Sequence, residues 1–406
     1  MSSHRVPILN LRAQYNQVGP AIEEAVLEVL RSGNYILGQH VTELEKEVAA
    51  ICGAKYGIGV ANGTDALILS LWCMDIGKGD EVITTPFTFA ATVEAIALRG
   101  AKPVFVDIDP VSYNMNPDLI EKAITKKTKA IMPVHLYGLP ADMEPILKIA
   151  KKHNLRVIED NAQGIGATYR GQATGSFGDV ACTSFYPTKN LGACGDAGML
   201  VTNDEKLAER LRCLRAHGSH RRYFHDELGV NSRLDELQAV ALRTKVPYLK
   251  EWNKRRDGIA RLYSSALQGC PGISLPTVSV NGRAATAQEL THVWHQYTIR
   301  VHSNNLKAKE NEERKKLIEE LAERGVGSMC YYPVPLHLQV AFKKLGYKKG
   351  AFPITEQVAN EVLSLPMYPE LTTEDVIYVA NQITEVMTKL SGVVPAPVMA
   401  PTFLGA

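Results

Sequence analysis

The chain has 406 residues and a formal net charge of +2, with 22% of its residues charged. A chain of this length is too long for a single hydrophobic core of ordinary size, so we expect two domains. Because positive and negative charges are nearly balanced, the protein lacks the strong positive field that attracts nucleic acid. The seven cysteines are scattered and form no CxxC pair. The N-terminus lacks the apolar core of a signal peptide, and no apolar run approaches the ~20 residues that span a membrane. We therefore expect a cytoplasmic protein with no membrane partner.

The first 20 residues look like an N-terminal arm, in which residues 8–11 could pair as a strand or pack on a neighbour. Pro20 is expected to open a helix that ends near Gly33, because proline favours the first helical position and glycine the position after the last. A second helix is predicted over residues 41–52.

Short apolar runs then alternate with amphipathic segments. Seven strands are expected, at residues 57–60, 81–84, 103–106, 130–132, 155–158, 180–186 and 198–202. Helices are expected between most of them, at residues 64–74, 92–98, 118–124 and 143–153. This pattern predicts an α/β fold with a mainly parallel seven-stranded sheet, helices on both faces and ligands at the carboxyl ends of the strands.

After residue 204 the pattern gives a charged helix, a His-rich loop and a helix over residues 234–249. We expect the large domain to span residues 1–250 and a smaller α+β domain to span 251–390. The latter has a strand over 291–301 and helices over 311–324 and 374–390. The Pro/Ala/Gly-rich residues 391–406 are expected to form a disordered tail.

Residues 156–202 carry the strongest functional signal. One apolar run ends in Glu159-Asp160, and the next, over 180–186, is followed by Lys189 in a proline- and glycine-rich loop. These residue types suit pyridoxal 5′-phosphate (PLP), with which a lysine forms a Schiff base and whose ring nitrogen a carboxylate holds protonated. Taken singly, Lys189 could be a solvated lysine and Asp160 a helix cap.

A glycine-rich run at residues 57–63 resembles a dinucleotide fingerprint but has one residue too many between its second and third glycines. A better interpretation places Gly63 and Thr64 at a helix N-terminus, where free N–H groups bind phosphate. The alternative is that Thr64 or Asp65 only caps the helix. Phe89 follows a strand end, where its ring could stack on a cofactor or belong to the core.

Several segments together resemble the DegT/StrS-type nucleotide-sugar aminotransferases, which have the aspartate-aminotransferase fold. They are ANGTDAL (61–67), TPFTFAAT (85–92), VHLYG (134–138), EDNAQ (159–163), SFYPTKNLGACGDAG (184–198), GVNSRLDELQA (229–239), PLHLQ (335–339) and SLPMYPEL (364–371). The resemblance covers nearly the whole chain in the right order.

This resemblance implies PLP as the cofactor and Lys189 as the catalytic residue. It also implies the cofactor contacts: Gly63, Thr64 and Ser184 at the phosphate, Phe89 on the ring, Asp160 at the ring nitrogen, Gln163 at the 3-hydroxyl and Asn231 from a neighbouring subunit. Such sharing requires a homodimer. Without the resemblance, Asn231 would be interpreted as a turn residue. No metal site is expected.

The implied reaction is a two-step transamination, in which L-glutamate gives its amino group to a keto-sugar carried on dTDP or UDP. A 3-keto-6-deoxyhexose is favoured, and a 4-keto sugar is the alternative. The loop 218–225 offers cations and aromatic rings for a nucleotide diphosphate, although it could equally be a solvated surface loop. Its candidate substrate contacts are His220, Arg221, Tyr223 and His225, with Arg222 beside them. Arg300 could meet the donor's carboxylate.

Three other functions would share the fold or the cofactor with a nucleotide-sugar aminotransferase. A PLP-dependent sugar dehydratase would share the fold, but in such relatives a histidine replaces the Schiff-base lysine, whereas Lys189 is present here. A non-catalytic PLP-binding regulatory protein would share the cofactor site. An aminotransferase specific for amino acids would not need the cationic loop.

Overall fold

The computed structural model describes residues 4–221, 223–280, 283–286, 288–303 and 311–392. The predicted tail beyond residue 392, and Arg222, lie outside the described residues. The α-helices are α1 (Leu11–Ser32), α2 (Gln39–Ile51), α3 (Gly63–Cys73), α4 (Ala90–Leu98), α5 (Ile120–Ala123), α6 (Met143–His153), α7 (Glu205–Leu214), α8 (Glu236–Lys245), α9 (Leu249–Ala266), α10 (Glu312–Glu323), α11 (Pro353–Glu361) and α12 (Thr373–Ser391).

The strands include all seven that the sequence predicts, with end points that differ by a few residues. They are β1 (Tyr56–Val60), β2 (Glu81–Thr84), β3 (Lys102–Phe105), β4 (Thr128–Ile131), β5 (Arg156–Asp160), β6 (Thr168–Tyr169), β7 (Gln172–Ala173), β8 (Val180–Ser184), β9 (Gly198–Thr202), β10 (Ile273–Ser274), β11 (Ser279–Val280), β12 (Arg283–Ala284), β13 (Leu290–Thr291), β14 (Tyr297–Val301) and β15 (Val362–Leu365).

The central sheet has seven strands in the order β1-β9-β8-β5-β4-β2-β3. Strand β9 is antiparallel to both its neighbours, and the other pairs are parallel. Side chains alternate across the sheet, so Leu200 packs with α3, α4 and α7 on one face while Met199 and Val201 pack with α2 and α8 on the other. The predicted α/β sheet, mainly parallel with helices on both faces, is therefore confirmed.

The N-terminal segment differs from the prediction. Helix α1 begins at Leu11 and contains Pro20 in its interior, because the Asn10 side chain caps it by accepting a hydrogen bond from the Ala13 N–H at 3.0 Å. Gly33 does end the helix, in the left-handed conformation. Val6 forms an isolated bridge with Val326, with both backbone hydrogen bonds at 2.8–2.9 Å, so the segment before α1 pairs with the C-terminal part of the same chain.

The C-terminal part contains a three-stranded antiparallel sheet, β10-β14-β15, packed against α9, α10 and α12. The strand predicted over 291–301 is wrong in extent, since β13 ends at Thr291 and β14 begins only at Tyr297. The helix predicted over 234–249 stops at Lys245, and α9 begins at Leu249 after a 3-10 turn. A domain boundary near residue 250 stays a prediction.

None of the helices in the described part of the chain has the length and apolar character needed to cross a membrane. The seven cysteines all lie in this part, and each is a free thiol.

Candidate active site

A cavity of about 840 Å³ opens at the carboxyl ends of β5 and β8 and the N-terminus of α3. Seven of the predicted site residues line it: Gly63, Thr64, Phe89, Asp160, Gln163, Ser184 and Lys189. Parallel strands end at the same edge of a sheet, which is why residues separated by more than a hundred positions meet here.

Asp160 is the last residue of β5 and is buried. Its Oδ2 accepts a hydrogen bond from the Thr92 hydroxyl at 2.7 Å, and its Oδ1 accepts one from the Ala162 N–H at 3.2 Å. Burial raises the pKa of this carboxyl above its usual value, while these two donors and the nearby Lys189 oppose the rise. A cation or N–H placed against it would favour the charged carboxylate.

Lys189 lies in the turn after β8, and its amide N–H donates to the Tyr186 carbonyl at 2.8 Å. The turn is tight: a Cβ at Gly192 would lie 2.4 Å from the Pro187 carbonyl oxygen, so only glycine fits there. The half-buried side chain has a pKa lowered to about 8 by desolvation, which the charge of Asp160 partly offsets. A substantial fraction of the amine is therefore neutral at physiological pH.

The residue after Lys189 holds this loop against the C-terminal part of the chain. Asn190 is buried, and its Nδ2 donates to Asn253 Oδ1 and to the Val293 carbonyl, both at 2.8 Å. Its Oδ1 lies 3.2 Å from Nδ1 of His295, which also lines the cavity. Burial, followed by the charge of Lys189, lowers the pKa of His295 well below its usual value, so this imidazole is neutral.

The N-terminus of α3 forms another part of the cavity wall. Asn62 caps the helix by accepting from the Asp65 N–H at 2.8 Å, which leaves Thr64 without the capping role considered for it. A Cβ on Gly63 would stand 2.6 Å from the Ser184 Cβ, so the two predicted phosphate contacts are neighbours and the gap between them needs glycine. Backbone N–H groups in a first helical turn make an anion site.

Phe89 and Phe87 differ in environment. Phe87 is fully buried, whereas Phe89 lines the cavity and is 58% exposed, leaving a ring face on which another ring can stack.

Gln163 accepts from the Tyr137 N–H at 2.7 Å and donates to the Tyr332 hydroxyl at 3.2 Å, so its amide is fixed in one orientation.

The remaining predicted contacts lie elsewhere. His220, Arg221, Tyr223 and His225 are exposed on a loop that does not line this cavity, and Asn231 is exposed beside them, bridged to Ala216. Arg300 is also absent from the lining, and its Nε pairs with Glu361 Oε2 at 2.6 Å. The expected contact of Arg300 with a donor carboxylate is therefore not supported, because its charge is already compensated.

Sequence reasoning missed several residues that line the cavity or hold its groups. Thr92 lies inside a segment that carried the resemblance, so its spacing after Phe89 could have identified it. Tyr332 and His295 gave no signal, because they meet the site only through folding; Tyr332 is 169 positions from the glutamine that it contacts.

The described lining residues also have an uneven charge. Three carboxylates, Asp65, Asp160 and Asp196, face a single ammonium group, that of Lys189, and no arginine is among them. A ligand with several phosphate charges would need further cations from another surface. The chain's own loop does not supply them here.

The residues present fit PLP on three observations of this structure: a buried carboxylate at a strand end, a half-buried lysine of lowered pKa, and a glycine-made gap at a helix N-terminus. Together they match the ring nitrogen, the aldehyde and the phosphate of that cofactor.

Comparisons with known proteins agree with this chemistry. Residues 16–384 match the model of the DegT/DnrJ/EryC1/StrS aminotransferase family. The chain is 51% identical to a pleiotropic regulatory protein of Geobacillus stearothermophilus, covering 94% of this chain and 98% of that one. It is 47% identical to the dTDP-3-amino-3,6-dideoxy-alpha-D-galactopyranose transaminase of Aneurinibacillus thermoaerophilus, with 93% and 98% covered.

Among solved structures, the fold is similar to that of DesV from S. venezuelae, crystallised in complex with a ketimine intermediate. The TM-score is 0.88 at 42% sequence identity, and the match covers 95% of this chain and 99% of that chain.

Proposed function

Because the chain belongs to the DegT/DnrJ/EryC1/StrS aminotransferase family, whose cofactor is PLP, we propose that it transfers the amino group of L-glutamate to a keto-sugar linked to a nucleotide. The observation that carries the proposal is the pairing, in one cavity, of a lysine of lowered pKa with a buried carboxylate. The cavity at the strand ends is where this fold binds its ligands.

When bound, PLP supplies an electron sink that stabilises negative charge on the carbon that loses its proton. Gly63, Thr64 and Ser184 would hold its phosphate, Phe89 would cover one ring face, and Gln163 would face the 3-hydroxyl. Asp160 would hold the proton on the ring nitrogen. The Thr92 hydroxyl and the Ala162 N–H orient the Asp160 carboxylate for that task.

Lys189 acts as the general base. A base is most effective when its pKa lies near the working pH, and the pKa of the Lys189 amine is lowered to about 8 by its burial. The neutral amine can therefore accept the proton from the α-carbon of the donor. The ammonium group so formed can then donate that proton in the next step. The neutral His295 beside it adds no competing positive charge.

The acceptor that we favour is a 3-keto-6-deoxyhexose on dTDP, with UDP as the alternative carrier. Support comes from the transaminase of Aneurinibacillus thermoaerophilus, whose name describes a 3-amino-3,6-dideoxy sugar on dTDP. A new amine at carbon 3 of such a product corresponds to a ketone at carbon 3 of its precursor.

A homodimer would supply the cations that the cavity lacks. In our proposal, Asn231 and the exposed loop with Arg221, Tyr223 and His225 reach the site of a second copy, where they contact the cofactor phosphate and the nucleotide. The excess of carboxylates in the lining and the absence of this loop from its own chain's cavity support this arrangement. We further propose a cytoplasmic location, in which the seven free thiols would persist.

One relative is named as a regulatory protein, so a PLP-binding regulator is the second candidate. Both candidates bind the cofactor, and turnover separates them. A dehydratase is less favoured, because Lys189 is retained.

The test follows the visible absorbance of the PLP-loaded protein in a single turnover. We expect L-glutamate to convert the bound cofactor to its pyridoxamine form with one equivalent of 2-oxoglutarate, and a dTDP-linked 3-keto-6-deoxyhexose to restore the original spectrum. Bound PLP that is insensitive to every amino donor would favour the regulator. If only 4-keto sugars restored the original spectrum, the ketone of the acceptor would be assigned to carbon 4 instead of carbon 3.

A further inference from the structure

A group of potential metal ligands lies outside the cavity, where α7 meets the exposed loop. The Sγ of Cys213, a ring nitrogen of His220 and a carboxylate oxygen of Asp226 all lie within 4.8 Å of one another. Cys213 is buried in the last turn of α7, and the other two side chains are exposed. The three residues fall within 14 positions of the chain.

The backbone already brings these residues together. The Gly218 N–H donates to the Cys213 carbonyl at 2.9 Å, and the Asp226 N–H donates to the Gly218 carbonyl at 2.7 Å. Gly218 has a φ of +69°, and a Cβ there would lie 1.7 Å from the Glu227 carbonyl oxygen. Backbone hydrogen bonds therefore hold the loop against α7, so little conformational freedom remains to be lost on metal binding.

Two neighbouring side chains have hydrogen-bond or ion-pair partners of their own. Glu227 pairs with Arg210 at 3.0 Å, and Nδ1 of His225 contacts the His217 carbonyl at 2.8 Å. The three-residue group is therefore a defined set within a loop rich in polar residues.

We propose that Cys213, His220 and Asp226 form a binding site for a divalent transition-metal ion, with Zn²⁺ the best match. A thiolate, an imidazole and a carboxylate are all ligands that Zn²⁺ accepts, and three of them leave a fourth tetrahedral position for water. Two anionic ligands would neutralise the charge of the ion. Metals that require six oxygen ligands, such as Mg²⁺, match this set poorly.

Metal binding would fasten the loop to the end of α7. The loop between the ligands carries Arg221 and Tyr223, so the ion would fix residues that we assign to substrate contact, and His220 would face the metal rather than a nucleotide. The site itself stands independently of the proposed function, because it rests on the ligand set alone.

The test uses the PLP-loaded protein, first treated with chelator and then titrated with Zn²⁺ in competition with a chromophoric chelator. We expect one ion per chain. His220→Ala and Asp226→Asn should each weaken the affinity by more than about tenfold, whereas His217→Ala, which removes an exposed histidine of the same loop, should leave it unchanged. All proteins are compared at equal cofactor content, because PLP itself can bind metals.

A second readout uses substitutions that leave the loop residues unaltered. Co²⁺ in the site should give a thiolate charge-transfer band that disappears in Cys213→Ser and persists in Cys194→Ser, which removes the exposed thiol. The proposal is overturned if the wild type binds no Zn²⁺ at micromolar concentrations, if His220→Ala and Asp226→Asn bind normally, or if Cys213→Ser retains the band. None of these results depends on transaminase activity.

Discussion

The cavity at the sheet edge and the loop of residues 217–231 are built in opposite ways. Asp160, Gln163 and Asn190 are buried and held by hydrogen bonds from distant parts of the chain. His220, Arg221 and Tyr223 are exposed, on a loop whose backbone hydrogen bonds run mainly to other residues of the same loop. The folded core thus fixes the groups that carry the chemistry. Groups assigned to substrate recognition stay on a surface that can reach another molecule.

The strongest way to break this comparison is Lys189→Ala. We expect kcat/KM for transamination to fall by at least about 10⁴-fold, because the variant loses both the group that anchors PLP and the general base. The measurement is steady-state turnover with L-glutamate, with Lys206→Ala as the control for an exposed lysine. Turnover within tenfold of the wild type would remove Lys189 from the reaction.

Asp160→Asn should have the next largest effect, a fall in kcat of roughly 10²–10³-fold, because a neutral amide cannot hold the proton on the ring nitrogen. The fold should survive, since the amide oxygen can accept from the Ala162 N–H while the amide NH2 donates to the Thr92 hydroxyl oxygen. The same change removes the charge that raises the Lys189 pKa, so the pKa of the amine should fall further below its usual value. Steady-state turnover measures the fall in kcat, and the pH dependence of PLP capture by the cofactor-free proteins measures the change in the pKa of the amine.

The pH dependence of PLP capture tests whether the cavity lowers the pKa of the Lys189 amine. Only the neutral amine reacts, and its pKa is about 8, so the capture rate of the cofactor-free protein should rise about tenfold between pH 7 and pH 9 and then level off. A lysine with the ordinary pKa of 10.5 would still be gaining rate at pH 10. Stopped-flow absorbance at matched ionic strength distinguishes the two profiles.

Asn231→Asp tests the loop. If this residue approaches the cofactor phosphate of a second copy, the new charge should weaken PLP binding several-fold by repulsion, and Asn34→Asp, at another exposed asparagine, should not. Mixing Lys189→Ala with Asn231→Asp subunits should then restore activity in mixed dimers that contain one unaltered site. Unchanged affinity for PLP and no restoration would place Asn231 outside the site.

Thr92→Val is expected to have the smallest effect. Losing one hydrogen bond to Asp160 should lower kcat roughly 2–10-fold and raise the Asp160 pKa further, while Thr92→Ser should restore both. The pH profile of kcat separates this positioning role from a packing defect. A change in stability with an unaltered profile would argue against it.

The sheet was predictable because its strands are short apolar runs separated by amphipathic helices, and the pair Asp160 and Lys189 followed from the strand ends. Interactions between distant segments were not predictable. The sequence gives no sign that Glu361 pairs with Arg300 or that Tyr332 contacts Gln163, because each contact joins residues that are far apart in the chain. Pro20 misled the interpretation, since proline marks helix starts more often than interiors.

The bridge between Val6 and Val326 has a consequence for the order of events on the ribosome. Val6 must wait for a partner made some 320 residues later, which at ~5–20 residues per second takes on the order of tens of seconds. During that interval Val6 has no strand partner, although α1 can already form. The bridge therefore joins two segments that are synthesised at very different times.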